Sequence, residues 1–251
     1  GRSFKYHRPR GIMTAGSEEP NAIVQLHDNT SRSEPNVRAT EIEIYEGLEA
    51  SSQNCWPSVN FDIGGINNIL SSVLPAGFYY KTFMWPASFW EKYEFFIRHS
   101  AGLGKSPTEK DPDIYDHRNI HCDVLVVGAG ISGILAAKNA AKNNLKTLLV
   151  DEKNELGGAT IYQNRDFNKI ENQSSSDWIK KEIQELKNIK NLEIKTRTSV
   201  AAYHGYNYLL ARENLTDHLE KKDKQGKVRQ RLLKIRAKKV ILATGALERP
   251  L

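Results

Sequence analysis

Residues 122–133 read CDVLVVGAGISG, and this stretch decides the fold of the chain. A mostly apolar run that favours a strand leads into a turn with the pattern G-x-G-x-x-G, and an Ala-rich amphipathic run follows it. Residues 147–151, TLLVD, then indicate a second strand that ends on an acid. This order of strand, glycine turn, helix, strand and acid is typical of a Rossmann-type dinucleotide-binding unit.

The three glycines of the turn have separate roles in such a unit. Gly128 allows the tight turn, Gly130 lets the backbone approach a pyrophosphate, and Gly133 lets the helix pack closely on the sheet. Ile131 and Ser132 begin the helix, whose free N–H groups and positive dipole end favour phosphate. The turn is therefore a candidate cofactor site.

Further positions along the same unit extend this candidate site. Asp151 lies about 20 residues beyond the turn, where a carboxylate at the end of the second strand accepts hydrogen bonds from ribose hydroxyls. Gly157 and Gly158 follow in a loop that lets the cofactor pass close to the backbone. Thr244 and Gly245 end a later apolar strand and are small enough to lie beside the nucleotide.

Composition and charge are those of an ordinary globular protein. The 251 residues are 39% hydrophobic, which allows one large or two small domains with a core. The formal net charge is +6, but basic residues alternate with acidic ones, so we expect solvated surface rather than a nucleic-acid interface. No apolar run reaches the about 18 residues that a transmembrane helix needs, and none is predicted.

The two cysteines give little support for a metal or disulfide role. Cys55 and Cys122 lie far apart and outside any C-x-x-C motif, so the sequence predicts neither a disulfide framework nor a cysteine-based zinc site. We assign no metal ligands. Because nothing marks the chain for secretion, a reducing cytoplasm is the expected compartment.

The pattern along the chain predicts three parts. Residues 1–45 carry short apolar alternations, including residues 22–26 and 41–45, which indicate a small β-rich unit. Residues 46–118 hold three of the four tryptophans without regular periodicity, so we expect an aromatic-rich connecting segment over another surface. Residues 119–251 form the Rossmann-type domain, and we expect the chain to be a fragment that cuts this domain short at its C-terminus.

Within the third part, the fold class is α/β with a β insertion, as in flavoproteins that have two dinucleotide-binding domains. Apolar spacing predicts a helix over residues 176–190, capped by Ser175 or Ser176. Residues 240–245 then return to the parallel sheet. The insertion is predicted from four short strand signals, near residues 192–196, 200–204, 208–212 and 231–237.

Several separate strings of the sequence resemble the alpha subunits of heterotetrameric sarcosine oxidases. Because these strings run through essentially the whole chain, the resemblance is specific. It covers only the N-terminal portion of that larger subunit, which continues into a folate-binding aminomethyltransferase-like region. The strings are GRSFKYHRPRG (1–11), EEPNA (18–22), PNVRAT (35–40), GFYYKTF (77–83), DVLVVGAGISG (123–133) and ATGALERP (243–250).

The resemblance implies a subunit that carries NAD in its Rossmann-type domain and helps to enclose FMN at its contact with the beta subunit. It places FAD and the amine oxidation in the beta subunit, within a complex that also has gamma and delta subunits. Such a complex oxidises sarcosine with O₂ to glycine, hydrogen peroxide and either formaldehyde or methylene-tetrahydrofolate. The family pattern has an acid pair at the strand end, so either Asp151 or Glu152 is the ribose ligand.

The N-terminal part resembles an iron–sulfur scaffold without its ligands. In amine dehydrogenase and cyanide-forming subunits similar to this chain, the Arg-Pro-Arg-Gly string leads into a cysteine-rich loop that holds a [2Fe–2S] cluster with four thiolates. Here residues 11–18 read GIMTAGSE and contain no cysteine. We therefore expect a ferredoxin-like unit that lacks the cluster.

Two other functions stay open at this point. The glycine fingerprint alone does not separate NAD from FAD, because both contain ADP, so an FAD-dependent reductase that uses NAD(P)H is one alternative. The other is a non-catalytic assembly subunit with a vestigial nucleotide site. No catalytic residue is assigned in this chain.

Overall fold

The computed structural model describes two compact units. The first contains Gly1–Pro112, His218–Lys221 and Leu247–Leu251, and the second contains Asp113–Asp217 and Lys222–Ala246. The resemblance strings at residues 1–11, 18–22 and 77–83, and part of the string at 243–250, lie outside the described residues. The described residues are 23–27, 33–39, 42–53, 55, 57–58, 60–63, 85–100, 102–104, 107, 110–161 and 169–246.

In the first unit, three strands form an antiparallel sheet. Strand β1 (Ile23–His27) lies in the middle, between β2 (Ser33–Arg38) and β3 (Glu49–Ser52). The strand expected at residues 41–45 is wrong, because the second neighbour of β1 is β3. The side chain of Ile44 is 87% exposed, so the apolar alternation there gains no burial that would favour pairing.

The first unit also contains a helix that the sequence pattern did not indicate. A short 3₁₀ segment (Ala87–Phe89) leads into α1 (Trp90–Ser100). Part of this helix is apolar but open to solvent in the described chain, since the side chains of Phe95 and Phe96 are 42% and 68% exposed. The aromatic density of this stretch therefore does not reflect burial within the described residues.

The second unit is built on a sheet of six described strands. The strands are β4 (Ile114–Val127), β5 (Thr147–Val150), β8 (Leu192–Lys195), β9 (Thr198–His204), β10 (Tyr208–Asn214) and β11 (Val228–Leu242). Their order across the sheet is β8, β5, β4, β11, β10, β9. The first four in this order run parallel, and β10 lies antiparallel to both of its neighbours.

The remaining elements of the second unit lie between these strands. Helix α2 (Ile131–Lys142) connects β4 to β5, and α3 (Ser175–Lys187) leads from β5 towards β8. The others are the 3₁₀ segments Gly158–Ile161 and Gly205–Asn207, the hairpin β6 (Lys169–Ile170) and β7 (Gln173–Ser174), and the short helix α4 (Lys221–Lys224).

Two buried clusters show how the sheet is covered on both faces. On one face, Val124 and Val126 of β4 pack with apolar residues of α2 and with Leu186 of α3. On the other face, Leu125 and Val127 share a cluster with the antiparallel strands. That cluster also contains Leu148, Val150, Leu209, Ala211, Leu233, Ile235 and Ala237. The α/β fold class is thus confirmed.

Two details of the predicted strands are wrong, although residues 231–236 of the predicted insertion do pair antiparallel with β10. The strand at Leu192–Lys195 belongs to the parallel sheet, where it pairs with β5. The predicted strands at 231–237 and 240–245 are one element, β11, which pairs with β4 from Val228 to Leu242. The charged pair Lys238–Lys239 interrupts the apolar pattern but not the backbone pairing, because hydrogen bonding to β4 continues past it.

Helix α3 begins and ends slightly before its predicted bounds. The oxygen of the Ser174 side chain accepts from the N–H of Asp177 at 3.2 Å, so Ser174 rather than Ser175 or Ser176 is the cap. Asn188 ends the helix as its C-cap. The cap is one residue earlier because Ser175 itself is helical and buried.

Lys138 joins the two helices that cover the sheet. Its Nζ lies 2.6 Å from Oε2 of Glu182 and 2.7 Å from Oε2 of Glu185. The side chains of Lys138 and Glu182 are only 15% and 8% exposed, whereas that of Glu185 is 41% exposed. Burial lowers the pKa of Lys138, but the hydrogen bonds to the two carboxylates outweigh it, and the net pKa is raised.

We expect Lys138→Met to lower the free energy of unfolding by about 3 to 5 kcal/mol, because it leaves the Glu182 carboxylate buried without its counter-charge. Glu185→Gln is the matched control, since it keeps the pair between Lys138 and Glu182 and should cost less than about 1 kcal/mol. Chemical denaturation measures both variants against the wild type. Equal losses for the two would contradict this account.

Candidate dinucleotide site

The turn after β4 has a backbone that only glycine fits at its first position. Gly128 has φ +96°, and a Cβ there would lie 2.3 Å from the carbonyl oxygen of Ala243. Its N–H donates to the carbonyl of Val150 at 2.8 Å. The turn is thus held between the ends of β5 and β11.

The other two glycines of the turn differ in what surrounds them. A Cβ on Gly133 would lie 1.8 Å from the carbonyl oxygen of Gly128, so the first turn of α2 presses directly on the loop. A Cβ on Gly130 would meet nothing within 4 Å. The fold therefore requires glycine at 133, whereas at 130 it leaves open space that a ligand can occupy.

Helix α2 begins at this open space with unsatisfied donors. Gly130 is its N-cap without a side-chain hydrogen bond, and no acidic residue lies in the first turn. The first backbone bond runs from the N–H of Ile134 to the carbonyl of Gly130 at 2.9 Å. The N–H groups of Ile131, Ser132 and Gly133 precede it, so the helix supplies them with no acceptor. This arrangement fits a phosphate group.

Asp151 is fixed against the same turn. Its Oδ2 accepts from the N–H of Ala129 at 2.6 Å, and its Oδ1 accepts from the N–H of Lys153 at 2.8 Å. Its own N–H donates to Lys195 at 2.9 Å, and its carbonyl accepts from the N–H of Thr198 at 2.7 Å. Each carboxylate oxygen keeps a further lone pair, so Asp151 can still accept from a ligand hydroxyl.

The bond between Asp151 and Ala129 is a feature that sequence reasoning missed. The fingerprint places an acid near the ribose, but it contains no signal for a contact between that acid and the turn itself. Glu152, the other candidate ribose ligand, is exposed and makes no hydrogen bond to the turn within the described residues. The structure thus brings Asp151, but not Glu152, into hydrogen bonding with the glycine loop.

Gly157 and Gly158 pack against the glycine turn at Ala129 and Gly130. The N–H of Gly157 donates to the carbonyl of Ala129 at 2.8 Å, and a Cβ on Gly158 would lie 2.9 Å from Cα of Gly130. Both residues have positive φ, +127° and +57°. The sequence predicts that this pair lets the cofactor pass close to the backbone. In the structure the pair also packs closely against the turn.

The end of β11 completes the site. The N–H of Ala243 donates to the carbonyl of Val127 at 2.8 Å, and Cα of Thr244 would lie 3.2 Å from a Cβ on Gly128. Gly245 has φ +69° with open space around its Cβ position. The backbones of all the predicted glycine positions from Gly128 to Gly158, together with Asp151 and Thr244, therefore gather at one end of the sheet.

Within the described residues, the buried cysteine is not a candidate nucleophile. Cys122 is buried, and burial raises the pKa of its thiol to about 11, which disfavours a thiolate nucleophile. The described residues bring together no group of three or more His, Cys, Asp or Glu side chains suited to a metal ion. No helix within the described ranges has the length and apolar run needed to cross a membrane.

Two family models match separate stretches of the chain. Residues 123–239, most of which lie within the second unit, match the family model described as FAD dependent oxidoreductase. Residues 1–55 match the 2Fe-2S iron-sulfur cluster binding domain. Because Cys55 is the single cysteine in that stretch, its residues do not fit a cluster that requires four thiolates.

Relatives match along the whole chain. Sarcosine oxidase subunit alpha of Rhizobium meliloti (strain 1021) is 48% identical over 252 residues, which cover 100% of this chain and 25% of the relative. The same subunit of Corynebacterium sp. (strain U-96) is 32% identical, over 100% of this chain and 21% of the relative. The resemblance predicted from the sequence strings is confirmed, and the chain spans about a quarter of these relatives' length.

Among solved structures, L-proline dehydrogenase from P. horikoshii is 26% identical to this chain, with a TM-score of 0.41. The match covers 52% of this chain and 24% of that one.

The two glycines of α2's first turn provide a direct test of the site. We expect Gly130→Ala to leave the free energy of unfolding within about 0.5 kcal/mol of the wild type, because its Cβ enters open space. It should nevertheless weaken dinucleotide binding at least about tenfold, or about 1.4 kcal/mol. Gly133→Ala should instead destabilise the fold, since its Cβ meets the carbonyl of Gly128. Denaturation and titration calorimetry separate the two effects, and full affinity in Gly130→Ala would contradict the assignment.

Proposed function

We propose that this chain is the NAD-binding portion of the alpha subunit of a flavoenzyme complex that oxidises sarcosine. The reaction is oxidation of sarcosine with O₂ to glycine and hydrogen peroxide, in which the N-methyl carbon is released by water as formaldehyde or taken up by tetrahydrofolate as methylene-tetrahydrofolate. The observation that carries the proposal is the 48% identity with a sarcosine oxidase alpha subunit over the whole chain. The intact glycine turn supports it, because the residues that a dinucleotide needs are present and assembled.

The residues of the turn have assigned roles in this proposal. The pyrophosphate lies beside Gly130 and accepts from the N–H groups of Ile131 and Ser132 at the start of α2. Asp151 accepts from the adenosine ribose, and Glu152 is the alternative. Gly157, Gly158, Thr244 and Gly245 flank the nucleotide. NAD supplies hydride chemistry when it is bound, and this chain supplies its binding and orientation.

The rest of the reaction belongs to partners in this proposal. FAD and the oxidation of the amine are in the beta subunit, and FMN lies at the contact between the alpha and beta subunits. Gamma and delta subunits complete a heterotetramer, which we place in the cytoplasm. The names of the relatives support a complex with several subunits, since each is called subunit alpha.

A second candidate places FAD, rather than NAD, in this site. The family match of residues 123–239 to FAD dependent oxidoreductases favours it. Both nucleotides present the same ADP portion to a glycine turn, so the contacts described above serve either. In that case the chain is part of an FAD-dependent subunit that uses NAD(P)H.

Titration of the full-length alpha subunit, separated from its partners, distinguishes the two candidates. We expect saturable NAD⁺ binding with no stoichiometric flavin absorbance near 450 nm. NADP⁺ should bind at least about tenfold more weakly, because a carboxylate that accepts from the ribose hydroxyls, the role proposed for Asp151, would repel a 2′-phosphate. A stoichiometric flavin peak would instead support the FAD candidate, and absence of any nucleotide binding would favour a purely assembling subunit.

The same titration assigns the ribose ligand. Asp151→Asn should weaken NAD⁺ binding by about 1 to 3 kcal/mol, through loss of a charge-assisted hydrogen bond. Glu152→Gln is the matched control and should bind as the wild type does. A loss seen only in Glu152→Gln would transfer the role to Glu152.

A further inference from the structure

One face of the second unit is open to solvent and crosses four strands. Leu209 of β10 and Leu233, Ile235 and Ala237 of β11 point into a buried cluster. The residues that alternate with them point the opposite way. We call this opposite side of β9, β10, β11 and the N-terminal half of β4 the outer face.

The strand registers place the side chains of the outer face in three rows. Each row spans all four strands. In the first row, ring contacts join three of the side chains: the guanidinium of Arg236 lies 4.9 Å from the ring of Tyr208, and the Tyr208 ring lies 5.9 Å from that of His204. From β9 to β4, the rows are His204, Tyr208, Arg236, His121; then Ala202, Leu210, Lys234, Asn119; then Ser199, Arg212, Leu232, His117.

The outer face carries an excess of positive charge. Four cations lie on it, and among the described residues of these strands the one carboxylate on this face is Asp123, which lies 2.7 Å from Nζ of Lys238. Helix α3, by comparison, balances three lysines with three acids. The four cations are Arg212, Lys234, Arg236 and Lys238.

The edge of this face also presents a tyrosine in a held conformation. Tyr206 is 94% exposed, yet it has φ +58°, which is unfavourable for a residue with a bulky side chain. Its carbonyl accepts from Nη1 of Arg236 at 3.1 Å. The next residue, Asn207, is bound by the hydroxyl of Tyr203 at 2.7 Å and donates to the carbonyl of Lys238 at 3.0 Å. The turn is therefore fixed to the cationic strand.

We propose that the outer face binds an acidic surface of a partner protein, which in the complex proposed above is another subunit. The inference rests on that proposed assembly. Charge complementarity selects an acidic partner, and excess charge of one sign steers its approach. Tyr and Arg are the side chains that interface centres favour. Leu232, 41% exposed between the cations, and a width of four strands, roughly 15 Å, favour protein over a phosphate backbone.

Copurification of the full-length alpha subunit with its coexpressed partner subunits tests the proposal. The variant is Lys234→Glu combined with Arg236→Glu. The control is Lys181→Glu combined with Lys187→Glu on α3, which changes the net charge by the same amount at another exposed place. Titration with NAD⁺ is run on every variant, so that loss of the fold or of the nucleotide site is detected separately.

The outer-face variant should retain less than about a tenth of the partner subunits, while the control retains them and both bind NAD⁺ normally. A complex in which one of the two cations is replaced should also dissociate at a lower salt concentration than the wild-type complex. Full assembly of the outer-face variant would overturn the proposal. The proposal would also be overturned if the wild type and the control bound a 20-base-pair DNA duplex, while the outer-face variant lost this binding and still assembled with the partner subunits. A wild-type subunit without NAD⁺ binding or partners would contradict the proposed function instead.

Discussion

The backbone N–H and C=O of Ala129 are both hydrogen-bonded, and these two bonds hold the loop on which the site depends. Its N–H donates to Asp151 at 2.6 Å, and its carbonyl accepts from the N–H of Gly157 at 2.8 Å. The first bond joins the turn to the end of β5, and the second joins it to the following glycine loop. Because glycine leaves the backbone of the turn conformationally free, these contacts keep the N–H donors at the start of α2 aimed at the open space beside Gly130.

The long strand β11 connects the site to the rest of the second unit. It pairs with β4 along its length, and its C-terminal residues close against the glycine turn. Its N-terminal half pairs with β10 and belongs to the antiparallel layer. One continuous element thus carries the wall of the candidate nucleotide site at one end and the cationic outer face at the other. The proposed nucleotide site and the proposed partner surface consequently belong to a single sheet.

Local sequence patterns were sufficient where one short stretch determines the structure. The run of apolar residues before Gly128, the three glycines and the acid at the end of β5 follow from spacing alone, and so does helix α3 within a few residues. The sequence strings also identified the relatives correctly. In each case the information lies within a window of about one element, where periodicity and turn chemistry are reliable guides.

The features that were missed depend on contacts between distant residues. Pairing of β11 with β4 continues through Lys238 and Lys239, which a local pattern reads as a break between two strands. Strand β8 joins the parallel sheet because β5 offers a free edge, which no property of residues 192–195 reveals. Likewise, the hydrogen bond from the N–H of Ala129 to Asp151 joins residues 22 positions apart. Such contacts are set by tertiary packing, so propensity does not predict them.

Residue-level amide hydrogen exchange of the nucleotide-free protein tests the central claim most directly. The account predicts that the N–H of Ala129 exchanges as slowly as those in the buried part of β4. In Asp151→Ala it should exchange at least about tenfold faster, while amides in α3 are unchanged. Exchange of the Ala129 amide in the wild type at the rate of an exposed loop would contradict the account, because the turn would then not be held before the nucleotide arrives.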